Sequence, residues 1–150
     1  MTTLRDYQPL RLIAEDKNDL SLMSASLQDA VAKLGDFAYL PTKRRFAFVA
    51  NRFVWECAVD RKNGPFARVR SGAHFDDVLS VKQSNLRLEA KDAVVELLAI
   101  RFEQGADGGG VVTFNFAGGG TILLEVEAIN AGLSDMSDPW RTKSKPVHEE

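Results

Sequence analysis

The chain has 150 residues, 45% of them hydrophobic and 27% charged, with a formal net charge of −2. These values suit one ordinary globular domain and exclude collagen, coiled coil and wholesale disorder. With Cys57 as the only cysteine, an intramolecular disulfide and a cysteine-based zinc site are excluded as well.

Met1 to Leu10 holds no apolar core of signal-peptide length. The longest apolar runs, such as Leu97 to Ile100, fall far short of the roughly 20 residues that cross a bilayer. A soluble, cytoplasmic protein is the expectation. Leu10, Leu12 and Ala14 alternate with Arg11 and Ile13, which predicts a short first strand. Asp16, Asn18 and Asp19 supply helix-capping oxygens, and Leu20, Met23, Leu27 and Val31 then recur at spacings of three and four. That spacing predicts an amphipathic helix over residues 19–31.

From Phe37 onward strand signals dominate. Phe37 and Tyr39 precede a turn at Pro41-Thr42-Lys43, and Phe46, Phe48 and Ala50 then share one face. The alternation slips at Asn51-Arg52 and continues on Phe53, Trp55 and Cys57, which predicts a β-bulge or bend. Lys62-Asn63-Gly64-Pro65 reads as a turn. Phe66 to Arg70 and Phe75 to Val81 read as two strand pieces around Ser71-Gly72, and Val94, Leu98, Ile100 and Phe102 as one face of another strand. Gln104 to Gly110 is a glycine-rich loop. Val112, Phe114 and Phe116 run into a hairpin turn at Ala117-Gly118-Gly119-Gly120, followed by a strand from Thr121 to Val126. Ala128, Ile129, Leu133 and Met136 predict a final helix over 127–136, and 137–150 reads as a polar, flexible tail.

The expected architecture is α+β in a single domain over 1–136. It is mainly an antiparallel sheet or partly open barrel of about 6–8 strands, with an N-terminal-region helix and a C-terminal helix. Its element order resembles a pleckstrin-homology-like barrel.

Candidate chemistry is sparse. His74 with Asp76 and Asp77 puts an imidazole and two carboxylates within four residues, material for an acid–base pair or a metal site. A metal normally takes three or four protein ligands, and the other histidine, His148, lies in the tail. The plainer reading is a solvated strand entrance. Cys57 paired with His74 would be a nucleophile, but its phase with Phe53 and Trp55 makes it a small core residue instead. The glycine clusters at 105–110 and 118–120 lack the Gly-Lys-Ser/Thr ending of a phosphate loop and lie between strands.

Charge is unevenly spread. Residues 43–70 carry eight basic and two acidic side chains, whereas 71–150 carry seven and thirteen. Lys43, Arg44, Arg45, Arg52, Arg68 and Arg70, with Arg61 and Lys62, are interleaved with Phe46, Phe48, Phe53, Trp55 and Phe66. A basic, aromatic surface of this kind binds single-stranded nucleic acid or another polyanion. The plainer reading buries the aromatics and leaves the cations at edges and turns. Trp140, after Pro139, is a large aromatic in a polar tail and suggests docking on a partner or a second copy.

Several segments also carry a likeness. Leu27-Gln28-Asp29-Ala30, Phe37-Ala38-Tyr39-Leu40-Pro41, Asn51-Arg52-Phe53 with Trp55-Glu56, Leu98 to Phe102 and Phe116 to Gly120 resemble a family of short proteobacterial proteins known only as a domain of unknown function. The resemblance runs from about residue 10 to Trp140 and implies a bacterial cytosolic protein. It brings no catalytic or binding residue with it. The functional expectation is a non-enzymatic binding or protein-interaction domain without cofactor or metal. The alternatives are a polyanion binder through 43–70 and a small enzyme using His74 with Asp76 or Asp77.

Overall fold

The computed structural model describes residues 7–57, 66–142 and 146. The predicted turn at 62–65, Arg61 and His148 lie outside them. In chain order the first elements are β1 (Arg11–Ala14), α1 (Lys17–Ser26), β2 (Val31–Lys33), β3 (Phe37–Leu40) and β4 (Arg45–Phe53). They are followed by β5 (Phe66–Phe75), β6 (Val78–Ser84), β7 (Val94–Gln104) and β8 (Gly110–Phe116). The last three are β9 (Thr121–Val126), β10 (Ala131–Asp135) and β11 (Trp140–Thr142).

The eleven strands among the described residues join one antiparallel sheet in the order β1-β10-β5-β4-β2-β7-β8-β9-β6, with β3 also on β4 and β11 also on β5. The sheet folds over on itself around aromatic rings. Phe46 and Phe48 of β4 and Phe75 of β5 meet Phe114 of β8 at 5.7, 5.6 and 5.3 Å between centroids. Phe37 of β3 lies against Phe116 at 5.9 Å. Such edge-on contacts add to the burial of these large rings.

The fold class therefore differs from the α+β expectation of six to eight strands and two helices. Sheet dominates, and α1 is the one α-helix among the described residues. Asp16 caps it by accepting from the Asp19 N–H at 2.8 Å, and Leu20, Met23 and Leu27 turn into the core. It stops well before residue 31 because Asp29 takes a left-handed conformation (φ 64°), after which Val31 opens β2.

The predicted C-terminal helix is β10. Ala131 and Leu133 point inward opposite Phe75 and Ala73, a period of two that the helical reading missed. The third inward position holds a charged residue, Asp135, which disguised the alternation. The phase slip at Asn51-Arg52 has the same origin. β4 pairs with β5 in unbroken register from Phe46 to Phe53, so no bulge interrupts it. Arg52 occupies the inward position as a buried charge, and Phe53 is buried on the opposite face with Trp55 and Phe66.

True register shifts fall elsewhere, between Val78 and Ser80 and between Leu97 and Ala99. The second explains why Leu97 and Ile100 are buried while Leu98 and Val94 are exposed, against the predicted single face. Ser71-Gly72 likewise interrupts nothing. β5 runs through it, and Gly72 leaves space for the Met136 sulfur, which a Cβ there would meet at 2.8 Å.

Because Phe114 is the ring on which both halves of the sheet converge, Phe114→Ala should destabilise the protein by about 3–5 kcal/mol, read from urea unfolding.

Candidate functional site

Three places gather polar or unpartnered groups: an ion cluster in the interior, the outer face around His74, and a cleft between two strand edges. In the interior, Arg52 and Asp135 have no exposed side-chain surface. Arg52 Nε and Nη2 donate to the two Asp135 oxygens at 2.8 Å each. Nη1 and Nη2 donate to Glu56 at 3.0 and 2.9 Å, and Nη1 also reaches the Phe53 carbonyl at 3.4 Å. All five guanidinium donors are thereby used. Asp135 further accepts from Ser71 Oγ at 2.7 Å, the Tyr7 hydroxyl at 2.5 Å and the Leu10 N–H at 2.8 Å.

Burial by itself would raise the Asp135 carboxyl, but the hydrogen bonds from Arg52, Tyr7, Leu10 and Ser71 outweigh it and hold it at about 2. The Arg52 guanidinium, which burial would otherwise disfavour, is held more firmly charged by Asp135 and Glu56. Burial and then the bond to Asp135 push the Tyr7 phenol well above its usual value. This cluster is saturated, with no guanidinium donor of Arg52 left for a ligand.

The basic stretch is spatially divided. Arg44 pairs with Glu127, Arg45 grips Asp76 through Nε and Nη2 at 2.7 and 3.1 Å, and Arg70 lies 3.9 Å from Asp36. Arg68 donates to the carbonyls of Asn51 and Asp29 at 3.0 and 3.3 Å, and burial lowers its pKa. Lys43 is exposed on the turn after β3. Phe46 and Phe48 face the core.

On the outer face of β5, His74 Nε2 lies 3.9 Å from Asp76 Oδ2, whose charge is already held by Arg45. Asp77 Oδ2 accepts from Asn130 at 3.2 Å. Gly132 sits against the imidazole, where a Cβ would meet Cε1 at 2.5 Å. Cys57 is buried with Val54, Ala67 and Val69 in a 3-10 turn rather than in strand phase. Trp140 is 41% exposed, opposite Arg68 on the β11–β5 ladder. Among the described residues no three His, Cys, Asp or Glu side chains converge as metal ligands, and no helix is long and apolar enough to cross a membrane.

The cleft lies between β3 and β6, each hydrogen-bonded on one side only, to β4 and to β9. At one end the two edges are tied: the Tyr39 hydroxyl donates to the Val78 carbonyl at 3.1 Å, and Val78 N–H donates to the Arg44 carbonyl at 2.9 Å. At the other end the 85–93 loop is tied back, Gly35 N–H donating to the Lys91 carbonyl and Leu34 N–H to that of Ala93. Between these ties is a cavity of about 330 Å³, floored by buried Phe46 and Ile122, walled by Phe37, Tyr39 and Val81, and rimmed by Gln83, Leu88 and Lys91. Ligand pockets generally measure about 300–1,000 Å³ and are mostly apolar with a few polar groups.

The sequence reading missed this site. Gln83 and Lys91 belong to a polar connection between strand signals, and Phe37 and Tyr39 read only as a strand before a turn. One signal was present: Gln83 continues the phase of Val81, a polar and exposed residue on the face that holds Val81.

The fold and cleft define an antiparallel β domain with a small apolar cavity at an open sheet edge. The chain belongs to the family described as a protein of unknown function (DUF2948), whose model matches residues 10–148. No curated protein and no solved structure matches it.

The Asp135 carboxyl is depressed from its ordinary 3.8 to about 2, so its stabilising contribution is complete above about pH 4 and lost as pH falls toward 2. Urea-unfolding free energies should drop across that window. Asp135→Asn should lose about 3 kcal/mol or more at pH 7, since a buried charge loses its partner, and should flatten the slope between pH 4 and 2.

Proposed function

We propose that the protein is a non-enzymatic binding domain whose ligand occupies the cleft between β3 and β6. The observation that carries this reading is the cavity itself: a roughly 330 Å³ apolar space, lined by three aromatic rings, framed at both ends by backbone ties and open between two strand edges. The cleft opens onto the buried ring of Phe46 and the half-buried rings of Phe37 and Tyr39, which gain from apolar contact that water does not offer.

Other parts of the surface lend less support to the rival readings. The described cations of 43–70 lie in different places, and most of them are matched by internal acceptors, so they supply little free charge for a polyanion. His74 stands on an outer sheet face beside a carboxylate committed to Arg45, which leaves it without an oriented base partner.

Titrating isotope-labelled protein with indole, a compact neutral probe, should give saturable shifts confined to Phe37, Tyr39, Val81, Ile122 and their neighbours. Ala38→Trp, placed on the exposed lip of the cleft, should abolish them while leaving the rest of the spectrum in place. Shifts scattered over other surfaces, or unchanged binding in Ala38→Trp, would overturn the reading.

A further inference from the structure

We infer that the ligand is a compact monoanion, a carboxylate on an aromatic or short apolar body, with its head held by Lys91 and Gln83. This rests on the cleft being the ligand site.

Charge gives the sign. Lys91 is the single charged side chain among the described residues lining the cleft, and no acid lines it. The neighbouring Asp92 lies 3.9 Å from Lys33 instead. Another cavity, beside the 105–110 loop, has the opposite character, with Asp107, Glu125 and Glu127 in its lining. An ammonium above an apolar pocket attracts a negative head whose body is buried below it.

Position gives the geometry. Lys91 is not on a free-swinging segment. Its carbonyl accepts from Gly35 N–H at 2.8 Å, and its Cβ rests over Gly35, where an added Cβ would meet it at 3.0 Å. The turn carrying it is closed by Ala90 N–H to the Arg87 carbonyl and Ala93 N–H to the Ala90 carbonyl, both 3.0 Å. The backbone and Cβ of the lysine are thus held at the rim, and its exposed side chain extends from there. Gln83 shares the face of Val81, in the register position opposite Ile122 as Val81 is opposite Leu124, and its side chain is exposed at the rim. Its Oε1 accepts from Leu86 N–H at 3.2 Å, which leaves the Nε2 amide as the group available to a ligand acceptor.

One ammonium and one amide donor match a single carboxylate. A phosphate dianion is more often met by arginine forks, and no arginine lines this rim. The walls give the body. Phe37 stacks on Phe48 at 5.0 Å and lies 6.1 Å from Phe46, so a planar ring entering the cleft would extend an existing aromatic cluster. The Tyr39 hydroxyl is occupied by Val78, so this residue offers its ring rather than its oxygen.

The test compares three probes of one shape on the full chain by NMR titration: 3-phenylpropionate, 3-phenylpropan-1-ol and 3-phenylpropylamine. The acid should bind roughly three- to tenfold tighter than the alcohol, the range for a partly exposed charge-assisted contact, and the amine should bind more weakly than the alcohol. Lys91→Met, an exposed change that leaves the core alone, should reduce the acid to the affinity of the alcohol without altering the alcohol. Added salt should erode the advantage of the acid only. Equal binding of acid and alcohol in the cleft would overturn the carboxylate inference while keeping the cleft as a binding site. Absence of all three probes from the cleft would overturn both.

Discussion

A guanidinium held in the interior of a small β protein imposes a constraint on everything around it. Taking such a charge out of water costs several kcal/mol, and that cost is offset only when geometry and hydrogen bonding are complete. Arg52 meets the condition through Asp135, Glu56 and the Phe53 carbonyl, and Asp135 through Arg52, Ser71, Tyr7 and Leu10. The acceptors and donors come from β4, the turn after it, β5, β10 and the segment before β1. A one-residue slip of β10 on β5 would turn Asp135 outward and strand Arg52 among apolar side chains. The cluster therefore acts less as a source of net stability than as a device that admits one register for the half-sheet carrying β1, β10, β5 and β4. With that half fixed, Phe46, Phe48 and Phe75 stand in one row to receive Phe114 from the opposite half.

The same folding-over leaves sheet edges to be dealt with, and they are treated differently. β7 leaves β2 after Glu96, and α1 lies across its edge, with Ser24 Oγ accepting from the Ile100 N–H at 2.9 Å. The helix thus replaces a missing strand neighbour. Between β3 and β6 no element intervenes among the described residues. The edges touch at Tyr39 and Val78, then part where β6 shifts register between Val78 and Ser80. The ties at both ends hold the gap to a fixed width. A cleft made in this way is preorganised, so little of the energy of an occupant goes into ordering the protein.

Legibility followed local physics. β1, the paired aromatics of β4, the β8–β9 hairpin with Gly118 and Gly119 at φ 88° and 92°, and the start of α1 were readable because each is set by neighbours in sequence. β10 and the Arg52 phase were misread because an inward charge looks like an outward one until its partner is known, and Tyr7, Arg52 and Asp135 are far apart in the chain. The Leu97–Ala99 shift was hidden for a related reason: a bulge is defined by the partner strand, not by the bulged one. The cleft was the least legible feature, since it consists of a pairing that does not occur.

The uneven charge along the sequence also has a three-dimensional explanation. The basic middle and the acidic flanks are partners: Arg44 with Glu127, Arg45 with Asp76, Arg52 with Asp135 and Arg70 with Asp36. Exposed pairs of this kind contribute little singly, so three of these four chiefly remove free charge from the surface. A local excess of arginine in an antiparallel sheet thus says as much about which strands lie beside it as about what binds outside. The cations that inform on ligands are those the fold leaves unmatched. Lys91 is such a residue, with no acidic side chain pairing with it among the described residues, and it stands at the mouth of an aromatic cavity rather than on an open polar face. Matched charge describes how the chain folds. The unmatched lysine, at the rim of apolar walls, is the charge on which the proposed ligand rests.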